Sequence, residues 1–66
     1  SDEILIKFFT ELDKLDKKVT CYLGMNTQHL GKDFMKNLVK KYNNLEIEKI
    51  YNYFLFPVNV YVINKS

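Results

Sequence analysis

The spacing of apolar residues changes along this chain, and that change limits the folds that it can adopt. Between residues 2 and 15, apolar side chains recur every three or four positions, as on one face of an amphipathic helix: Leu5, Phe8, Phe9, Leu12 and Leu15. Between residues 58 and 63 the chain is instead rich in β-branched residues, which favour strands. A chain that carries both patterns is predicted to be an α+β domain.

A second helix is predicted over residues 32–42. Every fourth residue is apolar in this region: Leu30, Phe34, Leu38 and Tyr42. Three lysines keep the same spacing, about 200° around the helix from the apolar residues, and we name them the lysine row: Lys32, Lys36 and Lys40. The helix could also begin near Thr27, if Gly31 lies inside it. In either case it has one apolar face and one basic face.

The segment between these helices allows two interpretations. Residues 19–23 alternate, with Val19, Cys21 and Leu23 on one side, which predicts a short strand that ends at Gly24. The competing interpretation is a short helix that begins at residue 20 and stops at residue 31. A pattern of five residues does not decide between the two.

The last third of the chain predicts a β-hairpin. Its strands are expected near residues 45–55 and 59–64, and Pro57 lies between them, where it suits a turn but not a central ladder. A helix over residues 45–56 is the main alternative, because four apolar residues would share one of its faces: Ile47, Ile50, Tyr51 and Phe54.

The predicted fold is therefore one small α+β domain over residues 1–66, with two or three helices packed on the C-terminal hairpin. Residues 2–15 and 32–42 carry the only wide apolar stripes. We expect their contact to form the core, from Leu5, Phe8, Phe9, Leu12, Phe34 and Leu38.

The apolar fraction of the chain is 47%, which is more than one small core easily hides. We therefore expect a homodimer or a protein partner. Strand 58–63 is the predicted association surface, because one of its apolar faces and its edge would stay uncovered. The chain has no Arg, Ala or Trp but ten Lys and seven Asn, a composition typical of AT-rich genomes, including those of viruses and phages.

Residues that could perform catalysis or bind a metal are scarce. Cys21 is the only cysteine and His29 the only histidine, which excludes an intramolecular disulfide framework and a Cys/His zinc site. We predict no enzyme activity, no cofactor and no metal. A single thiol is typical of a reducing compartment, cytoplasmic or nuclear. No apolar run reaches the roughly 18 residues that span a bilayer, so no membrane association is expected.

Positive charge is concentrated in the middle of the chain. Residues 17–42 contain six lysines and one aspartate, a net charge of +5, whereas residues 1–16 contain five carboxylates and two lysines, a net charge of −3. This asymmetry is typical of a chain that binds a polyanion, and lysines spaced along a helix can contact successive phosphates. The predicted nucleic-acid contacts are Lys17, Lys18, Lys32, Lys36, Asn37, Lys40 and Lys41. The alternative is that the lysine row is only the solvated face of an amphipathic helix.

Residues 51–56 form an aromatic block with two interpretations. The block could stack on single-stranded bases, or it could contribute to the core and to an interface, as such blocks more often do. We favour the second interpretation. The predicted interface residues are Tyr53, Phe54, Phe56 and Tyr61.

The order of elements resembles that of a winged helix-turn-helix domain. The segments that carry the resemblance are helix 4–15, residues 19–20, the turn at 30–31, helix 32–42 and the hairpin 45–63. Small winged helices that bind Z-form nucleic acid are similar in length and place Lys, Asn and Tyr on the recognition helix, much as Lys36, Asn37 and Tyr42 stand here. Asn37 and Tyr42 do not share one helix face, however, and the Trp of those domains is absent. The resemblance implies that helix 32–42 is a recognition helix and the hairpin its wing.

Two hypotheses for the function follow. The first is a non-catalytic nucleic-acid-binding domain whose lysine-lined helix lies on the phosphate backbone. The alternative is a small protein–protein interaction or assembly module, of a viral or phage effector type, that binds through its aromatic C-terminal hairpin. Placement separates them, because nucleic-acid binding needs the lysines and the hairpin tip on one face, whereas an interaction module exposes its aromatics as a patch.

Overall fold

Helices and strands follow one another along the chain as the apolar patterns predict. The computed structural model describes residues 2–28 and 31–66. Its elements, in chain order, are α1 (Asp2–Asp13), β1 (Val19–Asn26), α2 (Lys32–Val39), β2 (Leu45–Asn52) and β3 (Val58–Lys65). The α+β class is confirmed. The order of helix, strand, helix and hairpin is the one on which the winged-helix resemblance rests, and among the described elements nothing further is specific to that family.

The three strands form one antiparallel sheet in the order β1-β3-β2. Val19 and Leu45, the first residues of β1 and β2, both pair with Lys65. The hairpin of β2 and β3 is confirmed, and the helical alternative over residues 45–56 is wrong. The helical alternative over residues 20–30 is wrong for residues 20–26, which lie in β1, and its residues 29 and 30 lie outside the described residues. Residues 20–26 and 45–52 lie in strands because each finds a ladder partner in β3, a long-range contact that local periodicity does not reveal.

The central place of β3 corrects one expectation. We expected the edge of strand 58–63 to be free for association, but β3 pairs with β1 on one side and with β2 on the other. The physical reason is that β1 extends from residue 19 to residue 26 and satisfies the side of β3 that a two-stranded hairpin would leave open. The free edges of the sheet belong to β1 and β2.

Both helices pack on one face of the sheet, which we call the inner face. The core consists of Leu5, Phe9, Leu12, Met35, Leu38, Val39, Leu45, Tyr61 and Ile63. The expected core residues Leu5, Phe9, Leu12 and Leu38 are confirmed. Phe34 is only half-buried, and the neighbouring Met35 is fully buried instead. In the part of the chain that the structure describes, no helix is long and apolar enough to cross a membrane.

Candidate interaction surfaces

The loop that joins β2 to β3 exposes four consecutive apolar side chains. We name residues 53–57 the hairpin tip. Tyr53, Phe54, Leu55 and Phe56 are 52%, 99%, 81% and 66% exposed. Large apolar side chains scattered singly on a surface are ordinary, but a contiguous apolar group marks a binding site or an aggregation hazard. The hairpin tip is therefore the first candidate site.

The base of the hairpin tip is held by short backbone hydrogen bonds. The N–H of Val58 donates to the carbonyl oxygen of Phe56 at 2.7 Å, which closes a tight turn around Pro57. The N–H of Thr27 donates to the carbonyl oxygen of Pro57 at 2.8 Å and extends the β1–β3 ladder by one residue beyond the strands. The exposed aromatics thus project from a fixed base.

The solvent-facing side of the sheet, which we call the outer face, carries the second set of exposed aromatics. Tyr22 on β1 is 71% exposed and lies opposite Val62 of β3, which in turn lies opposite Lys49 of β2. The ammonium group of Lys49 lies 4.7 Å from the ring centroid of Tyr51, a cation–π contact. This face is partly apolar and is covered by neither helix.

One end of the outer face is polar. The hydroxyl of Thr20 donates to the Asn64 side-chain oxygen at 2.8 Å, and the Asn64 amide donates to Glu48 at 2.7 Å. This chain of hydrogen bonds crosses all three strands. It occupies the end of the sheet that lies away from the hairpin tip.

The lysines predicted to contact nucleic acid are all exposed, and so is Asn37. Four of them are distant from the hairpin tip: Lys17, Lys18, Lys40 and Lys41. Lys17 and Lys18 come just before β1, and Lys40 and Lys41 come shortly before β2. The first residues of these two strands, Val19 and Leu45, both pair with Lys65 at the end of the sheet opposite the hairpin tip. The length of β2 separates that end from the tip by about 23 Å, at roughly 3.3 Å per strand residue.

The lysine row also borders a groove between α2 and the free edge of β2. Lys36 and Lys40 of α2 line this groove, whose volume is about 500 Å³, together with Glu46, Glu48 and Lys49 of β2. The floor is apolar and consists of Val39, Leu45, Ile47 and Ile50.

Tyr61 does not lie at a surface. We expected it at an interface, but it is fully buried, because the odd-numbered residues of β3 face the helices. Among the described residues its hydroxyl has no hydrogen-bond partner. Alternation alone showed that Tyr61 and Ile63 share one face of the strand, but it could not show which face the helices cover.

Cys21 is a half-buried free thiol, and His29 lies outside the described residues. No group of three or more His, Cys, Asp or Glu side chains within residues 2–28 and 31–66 could hold a metal ion.

Comparison with known proteins gives no match: no family model, no curated protein and no solved structure is significantly similar to this chain.

Three parts of these surfaces were missed from the sequence. Leu55 belongs to the hairpin tip, and its place inside the aromatic block was a sufficient signal. Tyr22 lies between Cys21 and Leu23 in an alternating segment, so its outward direction could have been predicted once the strand was accepted. The groove beside β2 depends on how α2 packs, and no local pattern indicates it.

Proposed function

We propose that this chain is a non-catalytic protein–protein interaction module that inserts its hairpin tip into an apolar pocket of a partner protein. The observation that carries the proposal is the nearly complete exposure of Phe54, flanked by three further exposed apolar residues. Burying a phenylalanine side chain contributes about 1.5–3 kcal/mol, and a few such aromatic anchors commonly supply most of the affinity of an interface.

The fixed base of the tip supports the same proposal. Side chains presented from a loop that is already ordered lose less conformational entropy on binding than those of a mobile segment. The hydrogen bonds of Thr27 and Val58 hold the loop at both sides of Pro57. The tip therefore resembles a preorganised anchor.

A protein pocket fits the tip better than a membrane surface does. From Ile50 to Asn64 the chain contains no lysine and no carboxylate, whereas segments that bind membrane surfaces combine apolar residues with Lys or Arg. Four of the exposed lysines lie at the opposite end of the sheet. An uncharged apolar loop is suited to a pocket that is itself apolar.

Photo-crosslinking tests this proposal in cells that contain the natural partner. A benzophenone amino acid replaces Phe54 in one variant and Lys18, at the far end of the sheet, in a control. We expect one defined protein adduct at position 54 and none at position 18. Excess unmodified chain should suppress the adduct, whereas the double variant Phe54→Ser/Leu55→Ser should not.

Two results would contradict the proposal. One is an adduct that forms equally at both positions or is not suppressed by the unmodified chain. The other is sedimentation of the wild-type chain, but not of the double variant, with vesicles of phosphatidylcholine and phosphatidylserine. That second result would assign the tip to a membrane surface instead.

Nucleic-acid binding is a second candidate, and the exposure of the whole lysine row together with Asn37 and Lys41 supports it. The winged-helix resemblance points the same way.

Changing Lys32, Lys36 and Lys40 to Gln should weaken binding to random duplex DNA and reduce the salt slope by about 0.9 for each phosphate that the variant no longer neutralises. Unchanged affinity and slope in this variant would reject the candidate. Lys7→Gln/Lys14→Gln is the control, because both lysines are exposed but lie outside the predicted contacts, and this variant should bind DNA like the wild type.

A further inference from the structure

The backbone groups along the free edge of β1 can be identified from one hydrogen bond. The N–H of Thr27 donates to Pro57, so residue 27 points its backbone toward β3. In an antiparallel ladder successive residues point alternately toward and away from the partner strand. The N–H and C=O groups of the even-numbered residues therefore point away from β3, and in the described chain no strand pairs with them: Thr20, Tyr22, Gly24 and Asn26.

The two edges of the sheet differ in how well they resist pairing. β2 has a bulge between Ile47 and Lys49 and carries three charged residues, and both features discourage a further strand. β1 has neither feature. Its eight residues contain no charge and no proline, and its register with β3 is unbroken from Val19 to Asn26. An edge that is long, regular and uncharged is a template for another strand.

The side chains of β1 also favour a further strand. Four side chains of β1 face the helices but are only half-buried, because no described strand lies beyond β1 at this edge of the sheet: Val19, Cys21, Leu23 and Met25. A strand added at this edge with the same alternation would cover them and would place its own polar positions on the outer face. A second strand that alternates as β1 does would therefore fit this edge.

We propose that the strand which fits this edge is β1 of a second copy, so that two chains associate through antiparallel β1 strands and form one six-stranded sheet. An antiparallel pair of identical strands has two-fold symmetry, which is the commonest symmetry of protein dimers. Because β1 is uncharged, pairing it with the β1 strand of a second chain brings no like charges together at the two-fold axis. The inference is independent of the proposed function, because it concerns β1 and not the hairpin tip.

Several registers satisfy the direction of the backbone groups and keep the inner faces together, and two of them overlap the two β1 strands almost completely. One places Tyr22 opposite its own copy, with Cys21 opposite Leu23 of the second chain. The other places Leu23 opposite its own copy, with Cys21 opposite Met25. In both registers Cys21 occupies a position that does not hydrogen-bond across the new ladder, where the side chains of facing residues come closest.

The molar mass in solution tests the association. Sedimentation equilibrium of the wild-type chain should show a species of twice 7.9 kDa whose population rises from micromolar to millimolar concentration. Tyr22→Lys places two like charges near the axis without disturbing the core and should give the monomer. Tyr51→Lys, the same change on the other edge strand, should leave the dimer intact. A wild-type monomer at every concentration, or equal loss of the dimer in both variants, overturns the proposal.

Disulfide mapping tests the same interface in chains that stay folded. Leu23→Cys gives the native Cys21 a partner thiol in the register that places Tyr22 opposite its own copy. Met25→Cys does the same in the register that places Leu23 opposite its own copy. One of these variants should form a covalent dimer under mild oxidation roughly a hundredfold faster than Ile47→Cys, because pairing holds the two thiols as neighbours. Position 47 lies on the opposite edge of the sheet in the same row as Cys21. Equal rates in all three variants would overturn the proposal.

Discussion

The phenol oxygen of Tyr42 lies 3.0 Å from the hydroxyl oxygen of Thr10, and this contact joins the chain just after α2 to the last part of α1. Tyr42 also donates to the carbonyl oxygen of Ile6 at 3.3 Å, so the Thr10 hydroxyl is the donor in the shorter bond. The Tyr42 ring packs edge-on against Phe9, with centroids 6.1 Å apart. One side chain therefore supplies both polar and apolar contacts to α1.

Removing the Tyr42 hydroxyl should weaken this junction. We expect Tyr42→Phe to lower the free energy of unfolding by about 0.5–1.5 kcal/mol, the usual net contribution of a protein hydrogen bond. Urea unfolding followed by circular dichroism measures the change. Tyr22→Phe is the matched control, because that side chain lies on the open outer face, and it should have no effect. Equal losses in the two variants would show that the Tyr42 hydroxyl contributes nothing specific.

Phe8 and Phe9 are adjacent phenylalanines that should differ sharply in their contribution to stability. Phe9 is fully buried, whereas Phe8 is 39% exposed. Phe9→Ala should cost on the order of 3–5 kcal/mol, which is comparable to the whole stability of a domain of this size. Phe8→Ala should cost much less. If Phe9→Ala fails to fold, Phe9→Leu gives a measurable intermediate loss. A larger loss for Phe8→Ala than for Phe9→Leu would contradict the core described here.

Tyr61→Phe should stabilise the domain. The Tyr61 hydroxyl is buried without a partner among the described residues, and burying an unpaired hydroxyl costs about 1–3 kcal/mol. Phenylalanine keeps the ring in the core and removes that cost, so the free energy of unfolding should rise by about 1 kcal/mol. Thermal melts compare the two chains. A fall in melting temperature would mean that the hydroxyl has a hydrogen-bond partner in solution.

The hairpin tip should contribute almost nothing to the stability of the isolated chain. Because Phe54 and Leu55 are almost fully exposed, the double variant Phe54→Ser/Leu55→Ser should change the free energy of unfolding by less than about 0.5 kcal/mol. Val62→Ser, on the buried centre of β3, is the contrasting variant and should be strongly destabilising. A large loss in the tip variant would place these residues in the core and remove the basis of the proposed function.

Local patterns predicted the position of most elements because those elements follow from local chemistry. The period of residues 2–15 placed Leu5, Phe9 and Leu12 correctly on the buried face of α1. The predicted apolar stripe also included Phe8, which is 39% exposed, because the stripe is wider than the face of α1 that is buried. In α2 the four-residue spacing favoured Phe34, but α2 is rotated so that Met35 is fully buried instead.

Long-range pairing was not predictable in the same way. The alternation of Val19, Cys21 and Leu23 predicted a strand, but its extension to Asn26 and its pairing with β3 depend on residues more than 30 positions away. The prediction of the association surface was wrong for this reason. It treated strand 58–63 as an edge, whereas that strand lies between two others.

The strand order also has a consequence for the time at which the domain folds. A ribosome synthesises β1 and β2 before β3, yet among the described strands each of them pairs only with β3. Until β3 has left the exit tunnel, the nascent chain has two helices and two strands with no ladder to join, and the pair Val19–Lys65 then closes a loop of 46 residues. Pairings of such sequence separation form slowly. We therefore expect the sheet to assemble only after synthesis of β3.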